Sequence, residues 1–234
     1  MKALEQIIAL AVAATALGAC AADVDEPWFL DHDRIVAVRA TPPHIASGER
    51  SVLDALIGTK GAPTHEATPD LAYVVSPESF TDILAPGAEG WVVTAPDEAR
   101  LAAARTALDL DADAPVPVQI GVSYAGNTLF ALKTVYLGDS VANPTLEGLT
   151  IDDAPAPEGA VEMARDVEVR LAVEADAELV KVNWLTSTGT MHDFDLPSAY
   201  VVIEEEDPSS GELAIVLRDR SGGVVWRVWT LTAP

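Results

Sequence analysis

Between Arg34 and Pro234, apolar and polar residues alternate with a period of two in one short run after another, the pattern of strands that bury one face. Arg34 to Ala40 sets Val36, Val38 and Ala40 against Arg39, and Thr41-Pro42-Pro43 ends it, because proline has no N–H to give a ladder. A turn at Ala46-Ser47-Gly48-Glu49 leads into a second strand, Ser51 to Ile57. Gly58 to Pro69 reads as a loop, and Leu71 to Val75 and Gly90 to Thr94 read as short strands. Pro117 to Tyr124 alternates most cleanly, with Val118, Ile120, Val122 and Tyr124 on one face and Gln119, Gly121 and Ser123 on the other. The turn Ala125-Gly126-Asn127 and the return strand Thr128 to Leu137 complete a hairpin.

The second half repeats the pattern in Val167 to Val173, Leu179 to Leu185, Tyr200 to Ile203 and a closing hairpin of Gly211 to Asp219 and Val224 to Leu231. Trp184 is expected in the core of a central strand. The last strand breaks the rule, since Trp226 and Val228 stand on one face and Val225, Trp229 and Leu231 on the other. Either it is covered on both sides or Trp229 lies at an interface. One helix is expected after Thr94-Ala95-Pro96-Asp97, with the Thr94 hydroxyl as cap and a weak apolar face of Leu101, Ala102, Ala104 and Leu108. The pattern predicts an all-β protein: two tandem Ig-like β-sandwich domains, residues 34–142 and 143–234, with one short helix inserted in the first. They meet at Asn143-Pro144-Thr145.

The first 33 residues do not fit this pattern. Ile7 to Leu17 is a continuous apolar run behind Lys2, shorter than the roughly 20 residues that a spanning helix needs. Leu17-Gly18-Ala19-Cys20 follows, and resembles the lipobox of bacterial lipoproteins; Glu5 departs from the usual positive leader. The resemblance implies that residues 1–19 are a signal peptide cut before Cys20, whose sulfur receives a diacylglyceryl group, leaving 20–33 as a lipidated tether. More than one acyl chain gives stable anchoring, at about 0.8 kcal/mol per buried CH₂. Ala21, in place of aspartate, leans towards the outer membrane. A plain secretory signal or a buried N-terminal helix are the alternatives. Trp28, Phe29 and Leu30 are expected to dock on the first domain.

The run from Arg34 to Gly58 resembles the opening of uncharacterised predicted lipoproteins of myxobacteria and their relatives, through Val38-Arg39-Ala40, Pro42-Pro43 and Ser47-Gly48. Ala131-Leu132-Lys133, Leu137-Gly138 and Asn143-Pro144 look like theirs as well, and the closing hairpin resembles the last strands of PKD-like and other Ig-like modules. The resemblance implies an anchor and a sandwich fold. It implies no activity.

Charge narrows the partners. Lys and Arg number 14 against 37 Asp and Glu, a net charge of −23, which disfavours nucleic acid and anionic lipid surfaces. Solubility in a salty habitat explains such acidity more simply than cation binding. Cys20 is the single cysteine, so no intramolecular disulfide forms and stability rests on packing and ladders.

Catalytic patterns fail one by one. Gly121-Val122-Ser123-Tyr124-Ala125 lacks the second glycine of a nucleophile elbow, and His65-Glu66 has no second histidine at zinc spacing. Asp109-Leu110-Asp111-Ala112-Asp113 opens like a calcium loop, but Ala114 and Ile120 occupy the places of the required glycine and glutamate. His192-Asp193-Phe194-Asp195 and Asp31-His32-Asp33 bring ligand types together without a partner spacing, and Glu204 to Asp207 reads as a solvated hairpin tip. No catalytic residue, cofactor or metal is therefore expected. The expected function is a non-catalytic envelope lipoprotein that binds a protein or a glycan. One alternative is an accessory subunit docking through Trp229 or the 96–108 helix. A remote one is a hydrolase in which Asp31, His32 or His65 meets His192.

Overall fold

The computed structural model describes residues 26–176 and 178–234, so Cys20 and the expected signal peptide, residues 1–19, lie outside the described residues. The first sandwich contains β1 (Arg34–Thr41), β2 (His44–Ile45), β3 (Arg50–Thr59), β4 (Ala62–Ala67), β5 (Leu71–Ser76), β6 (Leu84–Gly87), β7 (Gly90–Thr94), α1 (Glu98–Ala107), β8 (Val116–Tyr124) and β9 (Leu129–Leu137). The second contains β10 (Glu147–Ile151), β11 (Ala154–Pro155), β12 (Ala160–Glu162), β13 (Glu168–Glu174), β14 (Val180–Thr186), β15 (Thr190–His192), β16 (Ser198–Val202), β17 (Ser210–Asp219) and β18 (Val224–Thr232).

The two halves share one topology. In the first, β1-β3-β7-β6 faces β2-β9-β8-β5; in the second, β10-β13-β16-β15 faces β12-β18-β17-β14. In each, a short strand (β2 or β12) joins the last strand in parallel, while the strands of the long ladders run antiparallel. Four strands in the order first, second, fifth, fourth, opposed by third, sixth and seventh, is the immunoglobulin arrangement. The connectivity itself therefore makes both sandwiches Ig-like.

Each sandwich has its own core. Leu53, Phe80, Leu101, Val118, Ile120 and Leu137 fill the first; Leu171, Trp184, Val201, Ile215, Trp229 and Leu231 fill the second. A third apolar cluster lies between them. Val36, Ala37 and Leu56, on the outer face of β1 and β3, pack with Leu185, Ala214, Val216, Val224 and Trp226, on the outer face of β14, β17 and β18. The sandwiches thus stack sheet against sheet, giving four layers and three apolar cores.

This stacking explains why β18 is apolar on both faces. Trp229 and Leu231 enter the second sandwich, and Trp226 enters the third cluster. Trp229 is fully buried and its Nε1 donates to Pro157 O at 2.7 Å, so of the two docking surfaces open to the accessory-subunit alternative, Trp229 is not available and the 96–108 helix is left.

Other expectations need correction. Gly58 to Pro69 is not a loop throughout: β4 pairs with β3 there, and its mostly exposed residues have no buried face to produce alternation. Asp97, not Thr94, caps α1, with its side chain accepting from Arg100 N. Of the weak apolar face, Leu101 and Ala104 are buried while Ala102 and Leu108 are exposed. Trp184 lies on an edge strand, yet it is fully buried and its Nε1 donates to Leu196 O at 3.2 Å. Trp28 to Leu30 docks on the second sandwich more than the first. Phe29 bridges in parallel to Thr186, Leu30 N donates to Thr186 O, and Trp28 packs on the second core, while Leu30 joins the third cluster. Backbone pairing with β14 holds this segment, and a pattern of three apolar residues does not show which edge will accept it.

Candidate interaction surfaces

The turn between β17 and β18 is the plug of the junction. Gly222 sits at φ +82°, where a Cβ would lie 3.2 Å from the Tyr136 ring. Around this turn, Lys133 Nζ donates to Gly222 O at 2.6 Å, and His44 Nε2 lies 2.7 Å from Ser221 O. His44 stacks on Tyr136 and places Nδ1 2.8 Å from Asp139 Oδ1. Asn143 ties the same region from both sides, donating to Ala40 O and accepting from Val224 N.

A second set of contacts locks the middle of the stack. The Arg39 guanidinium lies 3.8 Å from the Trp226 ring centroid and donates two hydrogen bonds to Asp54, while Trp226 Nε1 donates to Glu66 Oε1 at 2.7 Å. Arg218 completes it, donating to Val36 O at 2.6 Å and to Asn183 Oδ1 at 2.7 Å. Charge, aromatic ring and backbone all join at one seam.

Beside the seam runs an open groove of about 660 Å³, between Arg34–Val38 of β1 and Leu129–Thr134 of β9. Four cations line it, Arg34, Lys133, Arg218 and Arg220, against two carboxylates, Asp33 and Asp219. Burial pushes the Lys133 ammonium down to about 8, with Arg218 adding to the effect and Asp219 and Asp54 opposing it. Burial also lowers Arg218 from its ordinary value. Among the described residues, neither side chain has a carboxylate within 4.0 Å.

The outer face of the β2-β9-β8-β5 sheet carries apolar side chains into solvent. Phe130 and Leu132 on β9 are 68% and 64% exposed, and Leu71 and Tyr73 on β5 are about half exposed. The register aligns Leu71, Ser123 and Phe130 in one row and Tyr73, Gly121 and Leu132 in the next. Tyr73 covers Gly121 so closely that a Cβ there would lie 2.6 Å from its ring. By contrast, β13 turns Glu168, Arg170 and Glu174 outwards on the opposite end of the stack.

The residues weighed for chemistry do not assemble into a site. Asp31 and Asp33 accept from the backbone N of Gly61 and Lys60, His192 stacks on Tyr200, and His65 lies on β4. Asp109, Asp111 and Asp113 remain on an exposed loop, and Asp207 accepts from Glu204 N within its hairpin tip. Among the described residues, no group of three or more His, Cys, Asp or Glu is placed to hold a metal ion. None of the described helices is long and apolar enough to cross a membrane. Lys133, Arg218 and His44 were missed as junction residues. Only Lys133, a lysine in register with the buried Ile120, left a trace in the pattern.

No protein-family model and no curated protein matches this sequence. Among solved structures, the chain is similar at 13% identity and TM-score 0.32 to a nucleoside hydrolase-related hypothetical protein from Saccharophagus degradans, over 40% of this chain and 26% of that one. It is similar at 11% identity and TM-score 0.30 to the fibronectin(III)-like modules of Clostridium thermocellum CbhA, over 84% and 94%. The tandem Ig repeats of Dlar match at 11% identity and TM-score 0.29, over 86% and 97%. At such scores the fold rests on the strand order described above.

Proposed function

We propose that the chain is a non-catalytic bacterial envelope lipoprotein, anchored through Cys20, that presents a rigid pair of Ig-like sandwiches to another protein. Its kinship is with the predicted lipoproteins of myxobacteria and relatives, and its place is the outer membrane. The observation that carries the interaction reading is the row of exposed apolar residues on the β9-β8-β5 face. Large apolar patches left in solvent mark protein contacts. A glycan site would instead ring aromatics with polar groups, so the face favours a protein partner over a glycan. The accessory-subunit reading takes this face in place of the buried Trp229, beside the 96–108 helix, as its docking surface.

Two measurements test the proposal. Mass spectrometry of the N-terminal peptide is expected to show a diacylglyceryl-modified Cys20, and an intact leader or an unmodified cysteine overturns the anchor. Crosslinking in intact cells is expected to capture one envelope protein with the native chain and lose it with Cys20→Ser. If Leu71→Asp leaves the capture unchanged, the apolar face is not the contact.

A further inference from the structure

The groove beside the junction reverses the charge of the molecule that contains it. In a chain of net charge −23, four cations and two carboxylates line one continuous surface. We propose that this groove docks an extended acidic segment of a partner protein, its carboxylates against Lys133, Arg218 and Arg220 and its apolar side chains on Phe130 and Leu132. The proposal rests on the reading of the chain as an interaction module and not on the lipid anchor.

Among the described residues, Lys133 and Arg218 are incompletely satisfied. An ammonium has three donors and a guanidinium five. Lys133 gives one hydrogen bond, to Gly222 O, and Arg218 gives two, to Val36 O and Asn183 Oδ1. Asp219, which also lines the groove, accepts on Oδ1 from Ser221 Oγ and Gly223 N. Cations removed from water gain most from an anionic partner, and here the fold leaves that place to a ligand.

The shape favours an extended chain over a small anion. The groove follows six residues of β9, Leu129 to Thr134, and five of β1, Arg34 to Val38. Both stretches are sheet edges. β1 pairs only with β3, and β9 pairs with β2 only at Tyr136 and Leu137, so the rest of the β9 edge has no strand partner among the described residues. Unpaired strand edges accept added strands, whose alternate side chains reach opposite sides. Repulsion from the rest of the chain does not prevent this, because at 0.15 M salt it decays over about 8 Å while the groove cations act at contact.

The test uses the chain carrying Cys20→Ser and three labelled, capped octapeptides that alternate Val with Glu, Gln or Lys, read by fluorescence anisotropy. The Glu peptide is expected to bind at least about tenfold more tightly than the other two. Arg220→Glu, on an exposed side chain, and Phe130→Ser are each expected to weaken it by about tenfold at an unchanged melting temperature. Equal binding of the three peptides, absence of binding, or indifference to Arg220→Glu overturns the proposal. Displacement of the Glu peptide by inorganic phosphate at an equal concentration of charge also overturns it, because that result describes a bare anion site. Capture of a partner in cells through Leu71 and Tyr73 would survive any of these failures, so the two readings fail separately.

Discussion

Lys133 shows how one buried side chain can serve the fold at a cost. Its ammonium holds Gly222 O across the junction, yet burial lowers it from 10.5 to about 8. Between those two values the unfolded chain binds more protons than the folded one, so stability contributed at this site rises as pH climbs from 8 to 10.5. The full effect is on the order of 3 kcal/mol. Urea midpoints of the native chain relative to Lys133→Met are therefore expected to rise across that window, and a constant difference would refute the assignment. Tyr124 is simpler. Its Oη is buried without a hydrogen-bond partner among the described residues, and burial raises its phenol above the ordinary value. Tyr124→Phe is expected to leave stability unchanged or raise it by about 1 kcal/mol, as measured by urea denaturation.

The β17–β18 turn acts as an element, because its backbone carbonyls at Ser221 and Gly222 meet His44 and Lys133 of the first sandwich. Gly222 and Gly48 have nearly the same positive φ, +82° and +81°, but only Gly222 faces a neighbour, the Tyr136 ring. Alanine at either position pays a backbone penalty of about 1–2 kcal/mol. Gly222→Ala is expected to cost more than Gly48→Ala in thermal unfolding, and equal losses would show that the turn does not press on Tyr136. The exposed sheet face is a second element whose meaning comes from register. Leu71, Tyr73, Phe130 and Leu132 belong to two strands far apart in sequence, and only pairing through β8 makes them one surface.

At the scale of the molecule, the third core decides whether the two sandwiches behave as one body. Trp226 contributes apolar area, a ring for Arg39 and a donor for Glu66, all at the seam. Trp226→Ala is expected to cost about 3–5 kcal/mol and to split a single urea transition into two. A transition that stays single, with an unchanged small-angle scattering profile, would show that the seam does not couple the sandwiches.

The period of two was enough to place most strands and the β8–β9 hairpin, because a half-buried strand writes its burial directly into alternate residues. It also registered that β18 is apolar on both faces, without saying what covers the second one. β4 escaped because an exposed strand has no inner face to mark, and Trp28 to Leu30 looked bound for the first sandwich because apolarity names no destination. The resemblance of Leu17 to Cys20 to a lipobox, the net charge and the missing catalytic spacings were read from the chain alone, since each depends on local order or on totals. The stack of two sandwiches, the cation-lined groove and the apolar sheet face were not. Each is made of residues far apart in the chain, as Val36 and Arg218 are at the seam, 182 positions apart, and no local pattern records which distant residues a folded chain will bring together.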